Sequence, residues 1–149
     1  MREILFRGKR IDNGEWVVGL VVKDFECYGQ KDEHTYIVTH EYPSGCYGGD
    51  IYIEVIPETV GQYTGLTDKN GKKIFEGDIC RFRECSKGDM CWIGKVHYKY
   101  QQFLISGGKN KECDCPFIIP MSRLSSERIE VMGNIHDNPE LLEGGAERC

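Results

Sequence analysis

The Asn-Gly pairs at 13–14 and 70–71 constrain this chain more than any other feature. Both sit between β-rich runs, and Asn-Gly supplies the positive φ angles that a tight hairpin turn demands. The first pair separates Glu3-Ile4-Leu5-Phe6-Arg7 from Trp16–Val22, which predicts an opening hairpin. Glycine supplies 18 of the 149 residues, about 12% against a usual level near 7%, so turns and short strands are expected throughout.

Residues 23–50 mix charged, glycine and aromatic positions around one β-rich run, Tyr36-Ile37-Val38-Thr39, and the Pro43-Ser44-Gly45 and Gly48-Gly49 punctuation points to exposed loops. Ile51–Ile56 reads as a strand that Pro57 should stop, because proline brings no backbone donor to a ladder. A boundary between two subdomains is therefore expected between 57 and 62. Beyond it, 78–83, 94–98, 102–106 and 129–135 read as short strands. Met121–Arg128 and Asn138–Leu142 each suit a helical or 3₁₀ turn. The predicted fold class is mainly β, β-rich α+β at most, in two small β subdomains. They span 1–60, with a long irregular loop region, and 61–143, a bent five-stranded SH3-like barrel, followed by a disordered tail at 144–149.

The longest apolar run, Trp16–Val22, is far short of the roughly 18 residues of a membrane-spanning helix, and the first ten residues carry charge throughout. Eight cysteines would suit a disulfide scaffold in a secreted chain, but neither a signal peptide nor an Asn-x-Ser/Thr site accompanies them. The thiols are expected to be reduced and the protein to be cytoplasmic.

Net charge is −5, distributed unevenly. Residues 1–60 hold 6 Lys/Arg against 11 Asp/Glu, whereas residues 61–149 hold 13 of each. Within the second part, Lys69–Lys111 carries 10 basic and 4 acidic residues, a local +6. On alternating strands such a cluster is ordinarily a solvated face, yet it is the feature best suited to an anionic partner. Around Lys95–Phe103 aromatic and basic residues interleave, as on a surface that stacks bases and neutralises phosphates. Strand alternation, however, puts Val96, Tyr98 and Tyr100 on one face and His97, Lys99 and Gln101 on the other, which separates the tyrosines from the lysine.

Candidate chemistry is sparse. Asp68-x-Asn70-x-Lys72 opens like a calcium loop, but Lys72, Lys73 and Ile79 stand where a third oxygen ligand, the glycine and the final glutamate belong. Cys80, Cys85, Cys91, Cys113 and Cys115 with His97 bring zinc-type ligands without a Cys-x₂-Cys knuckle, and Cys80 beside Phe82 reads as a small buried hydrophobe. Cys149 reads as an exposed thiol. A cysteine hydrolase would need a thiolate and an oriented His, and His34, His40, His97 and His136 come with no nucleophile signature. His136-Asp137 precede Asn138-Pro139 and read as turn residues. Neither G-x-x-x-x-G-K-[ST] nor G-x-G-x-x-G occurs. No catalytic, cofactor-binding or metal-ligating residue is assigned, and no cofactor is expected.

Gln62–Ile79, including Thr64-Gly65-Leu66-Thr67-Asp68-Lys69-Asn70-Gly71-Lys72-Lys73-Ile74-Phe75-Glu76-Gly77-Asp78, together with Val131–Leu142 and the opening Met1–Arg7, closely resembles the YopX family. The resemblance implies a phage or prophage origin and a mostly β fold, and carries no established catalytic residue, substrate or cofactor. The signature itself reads as architecture: turns at Asn70-Gly71, bends at Gly65 and Gly77, and apolar strand contacts from Ile74, Phe75 and Ile79. The leading expectation is a non-enzymatic phage accessory protein that acts through protein contacts, with a host or phage protein as a further partner. Exposed strand edges and limited apolar burial favour a homo-oligomer. The alternatives are a nucleic-acid-binding module using 69–111, and a metal- or thiol-dependent enzyme using the Cys/His set.

Overall fold

The computed structural model describes residues 3–23, 34–39, 49–83, 90–109, 116–143 and 147–148. Its strands are β1 (Phe6–Arg10), β2 (Trp16–Lys23), β3 (Thr35–Thr39), β4 (Ile51–Thr67), β5 (Lys73–Phe75), β6 (Asp78–Arg83), β7 (Met90–Lys99), β8 (Gln102–Lys109), β9 (Pro116–Pro120), β10 (Ile129–Asn134) and β11 (Glu147–Arg148). The helical turns among the described residues are short 3₁₀ segments at Met121–Arg123, Ser126–Arg128 and Pro139–Leu142, where turns were expected. The protein is mainly β, with its strands in two sheets. The chain divides into two compact units, Met1–Tyr63 and Thr64–Cys149, so the division falls inside β4.

In the N-terminal unit β1 pairs antiparallel with β2, β2 with β3 and β3 with β4, and β1 also pairs with β4. The hydrogen bonds therefore run in a ring. The β1–β2 turn forms as expected: Gly14 has φ +73°, and its N–H donates to the Arg10 carbonyl at 3.1 Å. Ile37 and Val55 are fully buried in this unit. The sheet allows close approach where glycine removes a side chain, since a Cβ on Gly19 would run into the Val38 carbonyl oxygen.

Pro57 does not end the strand, contrary to the sequence expectation, and β4 continues to Thr67. The register shifts between Arg7↔Gly61 and Lys9↔Ile56, so Pro57 lies in an irregular stretch where no ladder donor is required of it. Thr59 repairs the gap: its hydroxyl accepts the Lys9 N–H at 2.8 Å and donates to the Ile56 carbonyl at 2.6 Å.

The C-terminal unit holds a six-stranded sheet ordered β10-β6-β7-β8-β9, with β11 on β7, so the expected five strands become six. β8 pairs with β7 from Lys99 back to Gly94, and β11 pairs with β7 at Cys91 and Met90. Part of the expected tail, Glu147–Arg148, is thus a strand, and the rest of it lies outside the described residues. One face packs a core of Ile74, Cys80, Phe82, Trp92, Val96, Phe103, Ile105, Met121 and Ile129. Phe117 reaches it edge-on, with its ring 5.5 Å from Phe82 and 5.2 Å from Trp92.

A Cβ on Gly107 would meet the Ile93 carbonyl oxygen across the β7–β8 pair, whereas one on Gly49 meets nothing within 4 Å. Gly107→Ala is expected to destabilise the protein by about 2 kcal/mol or more, and Gly49→Ala by less than about 0.5 kcal/mol, in urea unfolding.

Candidate functional site

The signature segment folds around a carboxylate. Asn70 and Gly71 make the turn between β4 and β5, with Gly71 at φ +81° and the Asp68 N–H donating to the Lys72 carbonyl at 2.8 Å. Asp68 itself is only 3% exposed. One of its carboxylate oxygens accepts the N–H groups of Asn70 at 2.8 Å and Lys72 at 2.9 Å, and the other accepts the Val131 N–H at 3.1 Å. Burial alone would raise its pKa. The backbone donors of Val131, Lys72 and Asn70, with the Lys72 charge, outweigh burial and hold the carboxyl below its ordinary value.

This segment is also tied to β10 by the Lys69 N–H on the Ile129 carbonyl at 3.0 Å. Outside that bond, Glu130 accepts the Lys69 ammonium at 2.8 Å and the Arg81 guanidinium at 3.0 Å. The Lys69 hydrogen bond, with Arg81, holds Glu130 below the usual carboxylate range against the opposing effect of partial burial.

Further along, Asp78 is buried and accepts the Phe75 N–H at 2.8 Å. Gly77, at φ +84°, donates to the Val96 carbonyl at 2.9 Å and accepts from the Ile135 N–H at 2.9 Å. Thr64 binds the Ile74 carbonyl through its hydroxyl at 2.9 Å. Asp68 and Asp78 are both sequestered from solvent and accept backbone donors, three at Asp68 and the Phe75 N–H at Asp78, as structural carboxylates do.

The cysteine and histidine candidates do not converge among the described residues. Cys80 is in no disulfide and is buried in the core beside Phe82. It lies opposite Gly94, on the face of β7 that carries Val96, whereas His97 projects from the other face. His97 Nδ1 lies 3.3 Å from the Ser106 hydroxyl and 3.4 Å from the Lys95 carbonyl.

Cys91 is disulfide-bonded, which corrects the expectation that every thiol is reduced. Spacing alone does not reveal such a bond, which depends on where folding brings sulfurs together. Cys27, Cys46, Cys85, Cys113, Cys115, Cys149 and His40 lie outside the described residues. Among the described residues no group of three His, Cys, Asp or Glu side chains is placed to hold a metal ion. His136 and Asp137 sit in the expected turn, where their N–H groups both donate to the Asn134 side-chain oxygen at 3.0 Å.

The aromatic-basic run around Lys95–Phe103 separates as alternation predicts up to Lys99: Val96 is buried and Tyr98 packs edge-on at 5.0 Å from Phe103. Beyond it, Tyr100 and Gln101 are not strand positions but the turn itself, at φ 52° and 62°. Tyr100 consequently returns to the lysine, whose ammonium lies 5.0 Å from the ring centre.

A surface that the sequence reading did not single out lies on the N-terminal sheet. Along β2, Val18, Leu20 and Val22 point to one face and are 43%, 47% and 39% exposed. Leu20 lies opposite Val38, which lies opposite Tyr52, while Val22, Tyr36 and Glu54 form the adjoining row. Tyr52 is 59% exposed, and its ring meets Tyr36 edge-on at 6.4 Å. At one end Trp16 covers Arg7, whose guanidinium carbon is 4.7 Å from the indole. At the other, His34 pairs with Glu54. The available signal was the unbroken apolar run Trp16–Val22, since an antiparallel strand with one wet face alternates with polar residues.

These features define a two-sheet β protein organised by a carboxylate-centred turn, with an apolar face on its N-terminal sheet. The chain belongs to the YopX family, whose pattern it matches over residues 5–143. It is similar in fold to the crystal structure of protein EF1440 from Enterococcus faecalis, with a TM-score of 0.50, 24% identity, and coverage of 95% of this chain and 99% of that one. No curated protein matches it.

Because Asp68 and Glu130 titrate below their ordinary range when folded, the unfolded chain binds more protons in acid. Their stabilisation is complete above the unfolded carboxyl values of about 4 and is lost as pH falls through the folded ones. Asp68→Asn is expected to cost about 2 kcal/mol near neutrality and to shallow the acid limb of stability against pH in urea unfolding. An unchanged acid limb would contradict this reading of Asp68.

Proposed function

We propose that this protein acts through protein contacts rather than catalysis, as a self-associating accessory protein of phage or prophage origin. The observation that carries the reading is the outer face of the N-terminal sheet, where Val18, Leu20 and Val22 stand exposed along β2 and Tyr52 is exposed across buried Val38 from Leu20. Single exposed apolar residues are ordinary, but a contiguous group on one sheet face marks an interaction surface, because leaving it wet forgoes its burial energy. Membership of the YopX family supports the phage setting. The signature residues Asp68 and Asp78 support a non-catalytic reading, since their carboxylates are spent on backbone donors.

The test is the mass of the purified chain by native mass spectrometry and light scattering. Assemblies of two or more chains that dissociate on dilution are expected, and Leu20→Asp is expected to weaken association at least about tenfold while leaving the β-sheet circular dichroism unchanged. A wild-type monomer at every concentration, or a monomer whose added mass is nucleic acid, overturns the reading.

A further inference from the structure

The turn between β7 and β8 stands against local preference. Lys99 pairs with Gln102, so Tyr100 and Gln101 are the whole loop of a two-residue hairpin, and both take positive φ, 52° and 62°. Such a loop ordinarily holds Asn-Gly, because a side chain crowds the backbone in the left-handed region. The turns at Gly14 and Gly71 place glycine at their positive φ. A strained pair of non-glycine residues kept at the surface points to what its side chains do.

The strained turn carries an aromatic ring into solvent. Tyr100 is 74% exposed, more than any other large hydrophobic residue among those described. The Lys99 ammonium lies 5.0 Å from its ring centre. Tyr98, 49% exposed, is held edge-on at 5.0 Å against buried Phe103. Glu76 meets this turn at the backbone, where it accepts the Tyr98 N–H at 3.3 Å. A cation beside an exposed aromatic ring suits a ligand that is flat, aromatic and anionic at once. A nucleotide is such a ligand, since its base stacks on tyrosine while its phosphate takes the ammonium. In a duplex the base faces are hidden in the stack, so the matching polymer is single-stranded.

We infer that the β7–β8 turn binds single-stranded nucleic acid, with Tyr100 stacking an unpaired base, Tyr98 offering a second ring and Lys99 neutralising the adjacent phosphate. The contact is additional to the self-association proposed above and does not rest on it. Recognition of this kind tolerates any base, because every base has a π face. It weakens with salt, because each phosphate that Lys99 neutralises must first release its counterion.

Fluorescence anisotropy of labelled oligothymidylate and oligouridylate, titrated with the whole chain at low salt, tests this. Binding that falls as salt rises is expected. The double variant Tyr100→Asn/Gln101→Gly is expected to raise the urea midpoint, because it relieves the turn, yet to weaken binding at least about fivefold. Weaker binding by a more stable protein separates the part played by the ring from that played by the turn. Should the double variant lose stability, Tyr100→Gly takes its place, since glycine accepts the same φ. Lys99→Gln is expected to weaken binding and to lower the slope of log affinity against log salt by about 0.7. No binding by the wild type at low salt, or equal binding by the Tyr100 variant, overturns the inference. Binding by a wild-type monomer supports it while removing the self-association reading, and an assembled wild type that binds neither oligonucleotide does the reverse.

Discussion

The Asp68 carboxylate ties the signature turn of the C-terminal unit to a distant strand. Its oxygens take N–H groups from Asn70 and Lys72 within its own turn and from Val131 on β10, far away in sequence. A hairpin turn on its own is marginal in water. Here the turn is held by a carboxylate that also fixes β10, and β10 in turn pairs with β6, whose Cys80 and Phe82 enter the core. The cost of burying a carboxylate is high, and only a full set of donors offsets it. The Lys69–Glu130–Arg81 pairs lie on the solvent side of the same junction and add a weaker, screened attraction.

Backbone proximity is the second constraint. At Gly19 and Gly107 neighbouring strands come so near that a methyl group would strike a carbonyl oxygen. Thr59 performs a related task in the N-terminal ring, lending its hydroxyl where the ladder between β1 and β4 slips.

Where local chemistry decides structure, it was legible in the sequence. Asn13-Gly14 and Asn70-Gly71 dictate their own turns, and β2, β3 and β6 show as β-rich runs because side-chain shape alone favours extension there. Features that depend on distant partners were not legible. Pro57 passes through a strand because Thr59 serves Lys9 from 50 residues away. β9, bracketed by Pro116 and Pro120, was not singled out in the sequence, and Glu147–Arg148 is a strand only because β7 is there to pair with. The hairpin tip at Tyr100-Gln101 takes positive φ without glycine, against local preference. The apolar face emerged only once register showed which side chains share a side.

The claim on which all this turns is that the signature segment is architecture, and amide hydrogen exchange tests it most directly. The N–H groups of Asn70, Lys72 and Val131 all end on Asp68, so they are expected to exchange only with global unfolding, at rates matching the core strands β6 and β7. Exchange at Asn70 and Lys72 as fast as in an exposed hairpin tip, with Val131 protected independently of them, would contradict the account.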